Sequence, residues 1–320
     1  IDYAAYAALR ENDKEPLFNR ALRGQYPPGS TVKPFMGLAG LEQGITGSHS
    51  STYCPGFYML PGNSRKFRDW KRTGHGTVDL NKSIVQSCDV FFYDLALSLG
   101  IDGIHEYLQH FGFGRKTGID ILGELPGLLP SREWKRQRRD QPWFPGETII
   151  TGIGQGFFLT TPTQLAVATA ALANGGRILQ PNIVHAEQEA NRNALSPHQP
   201  RLVENITINN QLHWDQVIQA MIDVVHSARG TARKIGEDSP YRIAGKTGTA
   251  QVYGLKEEEE YDAEAIEEKL RDHALFIAFA PVEAPTIVVA VIVEHGGGGG
   301  SVAAPIARTI LDAYLQEPSP

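Results

Sequence analysis

The pattern of apolar positions along the chain changes twice and divides it into three zones. Residues 1–29 carry a mixed pattern that ends in a Pro-Pro-Gly turn. Residues 30–180 show apolar residues at helical spacing, interrupted by glycines. From about residue 181 onward, runs rich in Ile, Val and Phe predict β-strands. The chain is therefore predicted to combine a mostly helical lobe, over about 34–180, with an α/β lobe formed by about 1–33 and 181–320.

Helices are predicted wherever the apolar spacing repeats every three to four residues. Several of them stop at glycine, which is favoured just beyond a helix C-terminus. Pro34 is compatible with the first helix, because amide groups of a first turn lack helical partners in any case. The predicted helices are 30–41, 79–99, 101–111, 163–172 and 303–315.

Three strands are predicted in the last third of the chain, at 241–253, 275–280 and 286–293. The last two are apolar at nearly every position, which indicates a sheet covered on both faces. Between the first two strands, an acidic stretch at 257–260 continues into a helix-like stretch to Arg271. Charge runs are usually solvated, so this segment is predicted to be a surface excursion.

Composition excludes several classes of protein. With 41% hydrophobic and 21% charged residues the chain is globular rather than disordered. A net charge of −6 argues against nucleic acid as a partner, and the sequence contains no run of 18 apolar residues that would span a membrane. A basic run beside Trp134 is interpreted as a solvated helix face, with a membrane or partner contact as the alternative; its members are Arg132, Lys135, Arg136, Arg138 and Arg139.

Candidate chemistry begins with Ser30 and Lys33, which face the same side of a helix at a spacing of three residues. A serine hydroxyl is a poor nucleophile unless a base lies nearby, and a lysine with a lowered pKa is one such base. The pair alone is a weak signal, since a serine cap followed by an exposed lysine occurs often by chance.

Two further motifs follow in a fixed order, Ser87–Asp89 and then Lys246–Thr249. The trio S-x-x-K, S-x-N or S-x-D, and K-T-G is typical of serine acyl-transferases that open amide bonds at D-alanine. Three elements in this order, each on the expected type of element, make a chance match improbable.

The chain also resembles the penicillin-binding protein 2 family, the class B monofunctional transpeptidases of the cell-elongation machinery. The resemblance covers essentially the whole chain and implies a penicillin-binding, serine β-lactamase-like fold of the α/β (α+β) class, with an antiparallel sheet flanked by helices. The membrane anchor and pedestal of that family are not seen in this sequence. The segments that carry the resemblance are 26–34, 68–70, 74–76, 152–156, 246–252 and 271–273.

The resemblance implies a role for each matching catalytic position. Ser30 would attack the penultimate D-alanine carbonyl of a stem peptide, and Lys33 would take its proton. Ser87 would relay a proton to the leaving amine. Lys246 would place positive charge near the substrate carboxylate and help keep Lys33 deprotonated by repulsion between like charges.

The third motif would bind the substrate. Thr247 and Thr249 would hold its carboxylate, and the backbone amides of Ser30 and Thr249 would form the oxyanion hole. Gly248 would let the substrate backbone approach closely. Strand alternation nevertheless puts Lys246 and Gly248 on one face and the two threonines on the other.

Asp89 stands where this motif usually has Asn, and it is counted among the substrate-binding candidates. An ionised carboxylate donates no hydrogen bond. We therefore expect Asp89 to pair with a lysine.

Cys54, Asp69, His75 and Cys88 lie within 35 residues and are all common zinc ligands. Four protein ligands would make a structural site, and Cys88 would tie that site to the Ser87–Asp89 motif. Zinc is the favoured prediction. A disulfide between the two cysteines and a pair of free buried cysteines are the alternatives.

The family resemblance further implies peptidoglycan stem peptides and β-lactams as ligands, and a RodA-type glycosyltransferase and the MreC scaffold as partners. No cofactor for catalysis is implied. The domain would face the periplasm, in a protein anchored in the inner membrane. The competing functions are a D,D-carboxypeptidase or β-lactamase, in which water takes the acyl group, and a non-catalytic sensor of β-lactams or cell-wall peptides.

Overall fold

The computed structural model of the chain describes residues 1–47, 49–188, 195–252 and 267–316. Within them, ten α-helices form, and proline stands in the first turn of four of them, a position where proline is well tolerated. The helices are Tyr3–Arg10 (α1), Arg20–Arg23 (α2), Lys33–Glu42 (α3), Leu80–Val85 (α4), Asp89–Gln109 (α5), Arg132–Arg139 (α6), Pro145–Gly152 (α7), Pro162–Ala173 (α8), Gln211–His226 (α9) and Ala304–Gln316 (α10).

The strands of the described residues form one three-stranded sheet and four two-stranded ribbons, all antiparallel. The strands are Thr52–Cys54 (β1), Phe57–Met59 (β2), Lys66–Arg68 (β3), Gly76–Val78 (β4), Arg177–Leu179 (β5), Ala186–Glu187 (β6), Ser196–Pro197 (β7), Leu202–Asn205 (β8), Ala244–Ala250 (β9), His273–Ala280 (β10) and Ile287–Val293 (β11).

The three-stranded sheet has the order β11-β10-β9. Consecutive residues of β10 are buried from Ala274 to Ala280, so both faces of that strand are covered, as its continuous apolar pattern predicts. Helices α8 and α10 pack against β10 and β11, and α9 packs against β9. The prediction of a covered sheet is confirmed, and β9 is left at one edge.

Helix α3 lies at the centre of the molecule. Each residue from Lys33 to Leu41 is buried, including the apolar side chains of Phe35, Met36 and Leu38. The helix packs against α5 on one side and α9 on another. Burial of this largely apolar helix on all sides holds its first turn in a fixed position.

The helix predicted at 79–99 is wrong in one respect, because the structure divides it. Helix α4 ends at Val85 and α5 begins at Asp89. Between them Ser87 has a φ of 57°, a left-handed conformation that a helix does not contain. Apolar residues continue through the break and conceal it from the sequence pattern. The predicted stop at Gly100 is observed as a kink inside α5, where that residue leaves helical geometry.

The basic run is helical, as predicted, but one of its members is not solvated. Lys135 is buried and its Nζ lies 2.5 Å from Glu147 Oε1. The acidic stretch at 257–260 lies outside the described residues. No helix among the described segments has the length and apolar content needed to cross a membrane.

Candidate active site

The N-terminus of α3 carries Ser30 into a cleft. Residues Gly29–Val32 form a 3-10 turn that continues into α3 at Lys33. Ser30 is half-buried, whereas Lys33 is fully buried. A candidate nucleophile thus reaches the surface of the cleft, while its neighbouring lysine lies below it.

The turn that holds Ser30 is clamped between two other segments of backbone. Gly29 has a φ of 53°, and a Cβ added to it would lie 2.4 Å from the carbonyl oxygen of Thr249. The amide of Gly29 donates to the carbonyl oxygen of Gly154 at 2.8 Å. Gly154 has a φ of 72°, and its own added Cβ would lie 2.3 Å from the oxygen of Gly29. These approaches require glycine at both positions and set Ser30 beside Thr249.

Lys33 connects the first two motifs through its ammonium group. Its Nζ donates to the Ser87 carbonyl oxygen at 2.9 Å, to Ser87 Oγ at 3.3 Å and to Asp89 Oδ1 at 2.7 Å. All three ammonium hydrogens therefore have acceptors. Lys33 faces Ser87 because the left-handed conformation of Ser87 breaks the helix at this point.

Lys246 approaches the same serine from strand β9. Its Nζ donates to Ser87 Oγ and to the Thr247 carbonyl oxygen, both at 3.0 Å. Burial, together with the charge of Lys33, lowers the pKa of Lys246 well below its usual value. The predicted effect of Lys246 on the protonation of Lys33 stays a prediction; in the structure the lowered pKa is that of Lys246, and Lys33 Nζ contacts Asp89 Oδ1.

Asp89 is enclosed by protein groups. Its Oδ1 accepts from Lys33, and its Oδ2 accepts from the backbone amide of Trp70 at 3.1 Å. Burial raises the pKa of this carboxyl, while the charge of Lys33 opposes that shift. Both oxygens have protein donors, so Asp89 supports the lysine as expected, and its binding of substrate stays a prediction.

Trp70 braces the same turn from outside. Its ring is 60% exposed, and its Nε1 donates to the carbonyl oxygens of Gln86 and Ser87 at 3.1 and 3.0 Å. The indole therefore lines the cleft and also fixes the backbone on which the second motif stands.

The third motif lies along β9. Successive side chains of this strand point to opposite faces and therefore contact different groups. Lys246 points toward Ser87, whereas Thr247 Oγ1 lies 2.8 Å from Thr231 Oγ1. Thr249 is exposed. A Cβ added to Gly248 would lie 2.7 Å from Thr31 Cγ2. Gly248 is thus required by packing against the Ser30 turn, a reason different from the predicted approach of a substrate backbone.

Two contacts were missed in reasoning from the sequence. Thr231 lies in the segment 229–232, which also resembles the family, but its contact with Thr247 could not be predicted from that resemblance. Gln155 Nε2 donates to the Thr249 carbonyl oxygen at 2.9 Å. The segment 152–156, which includes Gln155, carries part of the family resemblance. That resemblance does not predict the contact between Gln155 and Thr249.

Three of the four candidate metal ligands come together behind Ser87, and the fourth, His75, contacts one of them. The donor atoms of Cys54, Asp69 and Cys88 all lie within 4.8 Å of one another. His75 lies beside that group, with Nε2 3.1 Å from Asp69 Oδ1. All four residues are buried, and both cysteines are free thiols rather than a disulfide.

Asp69 organises this cluster and the turn next to it. Its Oδ2 accepts from the backbone amide of Asp89 at 2.8 Å, at the first turn of α5. Burial by itself would raise the pKa of Asp69, but hydrogen bonds from His75 and the Lys71 amide lower it below its usual range. Burial and the Asp69 charge raise the pKa of the Cys88 thiol. The cluster therefore combines an ionised carboxylate with protonated thiols.

Solved structures with the same architecture define the class of fold. Pseudomonas aeruginosa PBP2 in complex with WCK 5153 superposes with a TM-score of 0.86, at 47% identity over 98% of this chain and 64% of that one. Helicobacter pylori PBP2, solved in complex with MreC, gives a TM-score of 0.81 at 33% identity, over 99% of this chain and 55% of that one. The fold is the penicillin-binding transpeptidase fold.

The chain belongs to the family of penicillin-binding protein transpeptidase domains, whose sequence model matches residues 4–312. Peptidoglycan D,D-transpeptidase MrdA of Haemophilus influenzae is 43% identical over 98% of this chain. The chain spans 48% of the length of that relative.

Proposed function

We propose that this chain cross-links peptidoglycan stem peptides as a D,D-transpeptidase during cell elongation, through an acyl-enzyme on Ser30, and that β-lactams acylate the same serine. One observation carries the proposal: Lys33, Ser87 and Lys246 form a hydrogen-bonded cluster directly below the turn that presents Ser30. Membership of the transpeptidase family agrees with this chemistry.

In acylation, the Ser30 oxygen forms a bond to the carbonyl carbon of the penultimate D-alanine, and the amide bond to the terminal D-alanine breaks. Lys33 in its neutral form accepts the Ser30 proton. Ser87 passes a proton to the leaving amine, because its hydroxyl already contacts both lysines. The lowered pKa of Lys246 allows it to exchange that proton with Ser87.

Negative charge on the carbonyl oxygen in the transition state would be held by the backbone amides of Ser30 and Thr249. The close approach of Gly29 to Thr249 supports this assignment, since it brings the two backbones together. Each such donor contributes about 3–4 kcal/mol to catalysis. The substrate carboxylate would bind at the hydroxyls of Thr247 and Thr249.

The nucleophile is tested with Ser30→Ala and a fluorescent penicillin. We expect labelling of the wild-type chain and none of the variant, because the other hydroxyl of the turn, on Thr31, is buried and donates to the Pro28 carbonyl oxygen. Ser50→Ala, a substitution at an exposed serine far along the chain, is the control and should label normally. Labelling of Ser30→Ala at an unchanged site would overturn the assignment.

The lifetime of the acyl-enzyme separates transpeptidase from hydrolase. A β-lactamase would release the penicillin within seconds and a D,D-carboxypeptidase would turn over a D-alanyl-D-alanine peptide in water. We expect a long-lived adduct by intact mass spectrometry. A sensor would form the adduct but fail to turn over a D-alanyl thioester.

We further propose that Cys54, Asp69, His75 and Cys88 hold a structural zinc ion. Two thiols, a carboxylate and an imidazole are a zinc donor set, and their burial beside one another fits such an ion. Bound zinc would brace the Ser87 turn, since Cys88 follows it directly. Metal analysis of protein purified without chelator should find one zinc per chain; no zinc together with two titratable thiols would contradict the site.

The proposed location is the periplasm, as a domain of a protein anchored in the inner membrane. Its proposed partners are a RodA-type glycosyltransferase and MreC. Support comes from the likeness to H. pylori PBP2, which was solved with MreC. Co-purification of the full-length protein with each partner tests this.

A further inference from the structure

A second cleft opens beside the cluster of lysines and has a volume of about 290 Å³. One wall is formed by α4 and by Gln86, the residue before Ser87. The opposite wall is the end of α9 and the loop after it, including Arg229. This cleft is not used by any step of the acylation described above.

Each wall of the cleft includes a residue that lies close along the chain to a residue at the proposed substrate site. Gln86 precedes Ser87, and its carbonyl oxygen is held by the Trp70 indole at 3.1 Å. Arg229 stands two residues before Thr231, whose hydroxyl lies 2.8 Å from that of Thr247. The lining of the cleft therefore continues along the chain into Ser87 on one wall and toward Thr231 on the other.

The chemistry of the second half-reaction requires a binding site in this place. On the acyl-enzyme, the attacking amine must occupy the position that the leaving amine has vacated, because the two steps pass through equivalent transition states. The leaving residue has its carboxylate at Thr247 and Thr249. An attacking peptide that reproduces this arrangement must continue past Thr247, and the cleft lies next to Thr231 on that side.

The charges of the cleft match an acidic peptide. Lys82 Nζ donates to the carbonyl oxygens of His75 and Thr77 at 3.1 and 2.6 Å, which leaves it one hydrogen to donate. Arg229 is exposed and forms no ion pair with any residue in the described ranges. The acidic wall residue, Asp223, already accepts from Asn81 at 3.0 Å.

We propose that this cleft is the acceptor subsite, and that Arg229 binds a carboxylate of the second stem peptide remote from its attacking amine. The inference rests on the proposed function and assigns residues to its second step. In that step the amine nitrogen forms a bond to the acyl carbon and the bond from that carbon to Ser30 Oγ breaks. The proton lost by the amine returns to Ser30.

The test compares two fates of one acyl-enzyme. The wild-type chain is acylated with a D-alanyl thioester donor in the presence of a short peptide that carries an attacking amine, an adjacent carboxylate and a second, remote carboxylate. The ratio of aminolysis to hydrolysis is measured by mass spectrometry. The same peptide with the remote carboxylate amidated serves as the matched acceptor.

For Arg229→Ala we expect the aminolysis ratio to fall about tenfold with the remote carboxylate present, the loss typical of one charge-assisted hydrogen bond. With the amidated peptide the variant should equal wild type. Acylation by penicillin should stay within twofold, because Arg229 takes no part in the first step. Arg136→Ala, at another exposed arginine, should leave both ratios unchanged.

Several results would overturn the acceptor subsite. They are an unchanged ratio in Arg229→Ala, an equal fall with both acceptors, or a wild-type acyl-enzyme that the acceptor does not consume. Normal penicillin acylation of Arg229→Ala shows that the variant is folded. A wild-type chain that is never acylated would instead refute the proposed function, so the two failures can be told apart.

Discussion

At the scale of single residues, the two buried lysines of the site differ in the partners of their ammonium groups. Lys33 has a carboxylate partner at 2.7 Å. Among the described residues, Lys246 Nζ contacts neutral acceptors, Ser87 Oγ and a backbone carbonyl oxygen. Burial without a carboxylate in contact therefore disfavours the charged form of Lys246. A single serine that contacts both lysines is suited to moving a proton.

Removal of the Asp89 carboxylate should destabilise the fold strongly. Asp89→Ala leaves Lys33 buried with its charge uncompensated, and breaking a buried ion pair in this way costs about 3–5 kcal/mol. Urea unfolding gives the free energy. Asp102→Ala removes the carboxylate of an exposed ion pair with Arg132 and should cost less than about 1 kcal/mol. Similar losses of unfolding free energy in the two variants would show that the buried pair of Lys33 and Asp89 stabilises the fold no more than the exposed pair does.

Much of the candidate site was predicted from the sequence at this scale, and the gaps have physical causes. Motif order and spacing identified Ser30, Lys33 and Ser87, because those residue types are needed for one chemistry. The contact between Thr231 and Thr247 was not predictable, since it depends on where a loop returns to the strand. The role given to Gly248 was incomplete, because the packing partner, Thr31, is known only from the fold.

At the scale of elements, the 3-10 turn of Ser30 is held by contacts between backbones rather than side chains. It lies against β9 at Thr249 and against the loop after α7 at Gly154. Helical periodicity predicted the helix but not its 3-10 start. The break between α4 and α5 was also missed, because an apolar pattern records burial and not a left-handed residue such as Ser87.

Gly29→Ala should damage both stability and acylation. The new methyl group would meet the Thr249 carbonyl oxygen at 2.4 Å, and the residue would keep an unfavourable positive φ. Gly44→Ala is the matched control, since Gly44 has a φ of 68° but nothing lies within 4 Å of its added Cβ. We expect Gly29→Ala to cost about 1–3 kcal/mol more than the control, from overpacking.

Thermal unfolding and the rate of penicillin acylation, measured on both variants, check this prediction. The control should acylate at the wild-type rate. Equal destabilisation with normal acylation in both variants would mean that the turn can move away from β9.

At the scale of the whole molecule, the central sheet and the helices form one packed core around α3. The covered sheet was predictable from apolar runs, and the fold class was predictable from the family resemblance. The division into a helical and an α/β lobe stays a prediction. His226, at the end of α9, joins a helix to the sheet by accepting a hydrogen bond from the Ile243 amide at 3.0 Å.

Stability should therefore depend on the protonation of His226. Burial, with the charges of Arg242 and Arg308, lowers the pKa of His226, while Asp223 and Glu283 oppose the shift. The unfolded chain takes up the proton first as the pH falls, so stability is present above pH about 6.5 and decreases below it. Protonation also removes the acceptor for Ile243.

The measurement is the melting temperature between pH 5 and pH 8 for wild type and His226→Gln. As the pH falls through about 6, we expect the melting temperature of wild type to decrease more than that of His226→Gln. At pH 8 the imidazole is neutral in both states, so no further change is expected there. Parallel profiles over the whole range would contradict a role for His226.

Under the proposed function, in which β-lactams acylate Ser30, the close backbone contacts of Gly29 and Gly154 also limit how this molecule can evolve when exposed to such drugs. Neither Gly29 nor Gly154 has room for a methyl group, because each faces the backbone of another segment. Heritable change that weakens drug binding is therefore expected at other positions, where a new side chain does not meet the backbone of another segment. An inhibitor that draws its affinity from the clamped backbone would leave a bacterium few viable routes of escape.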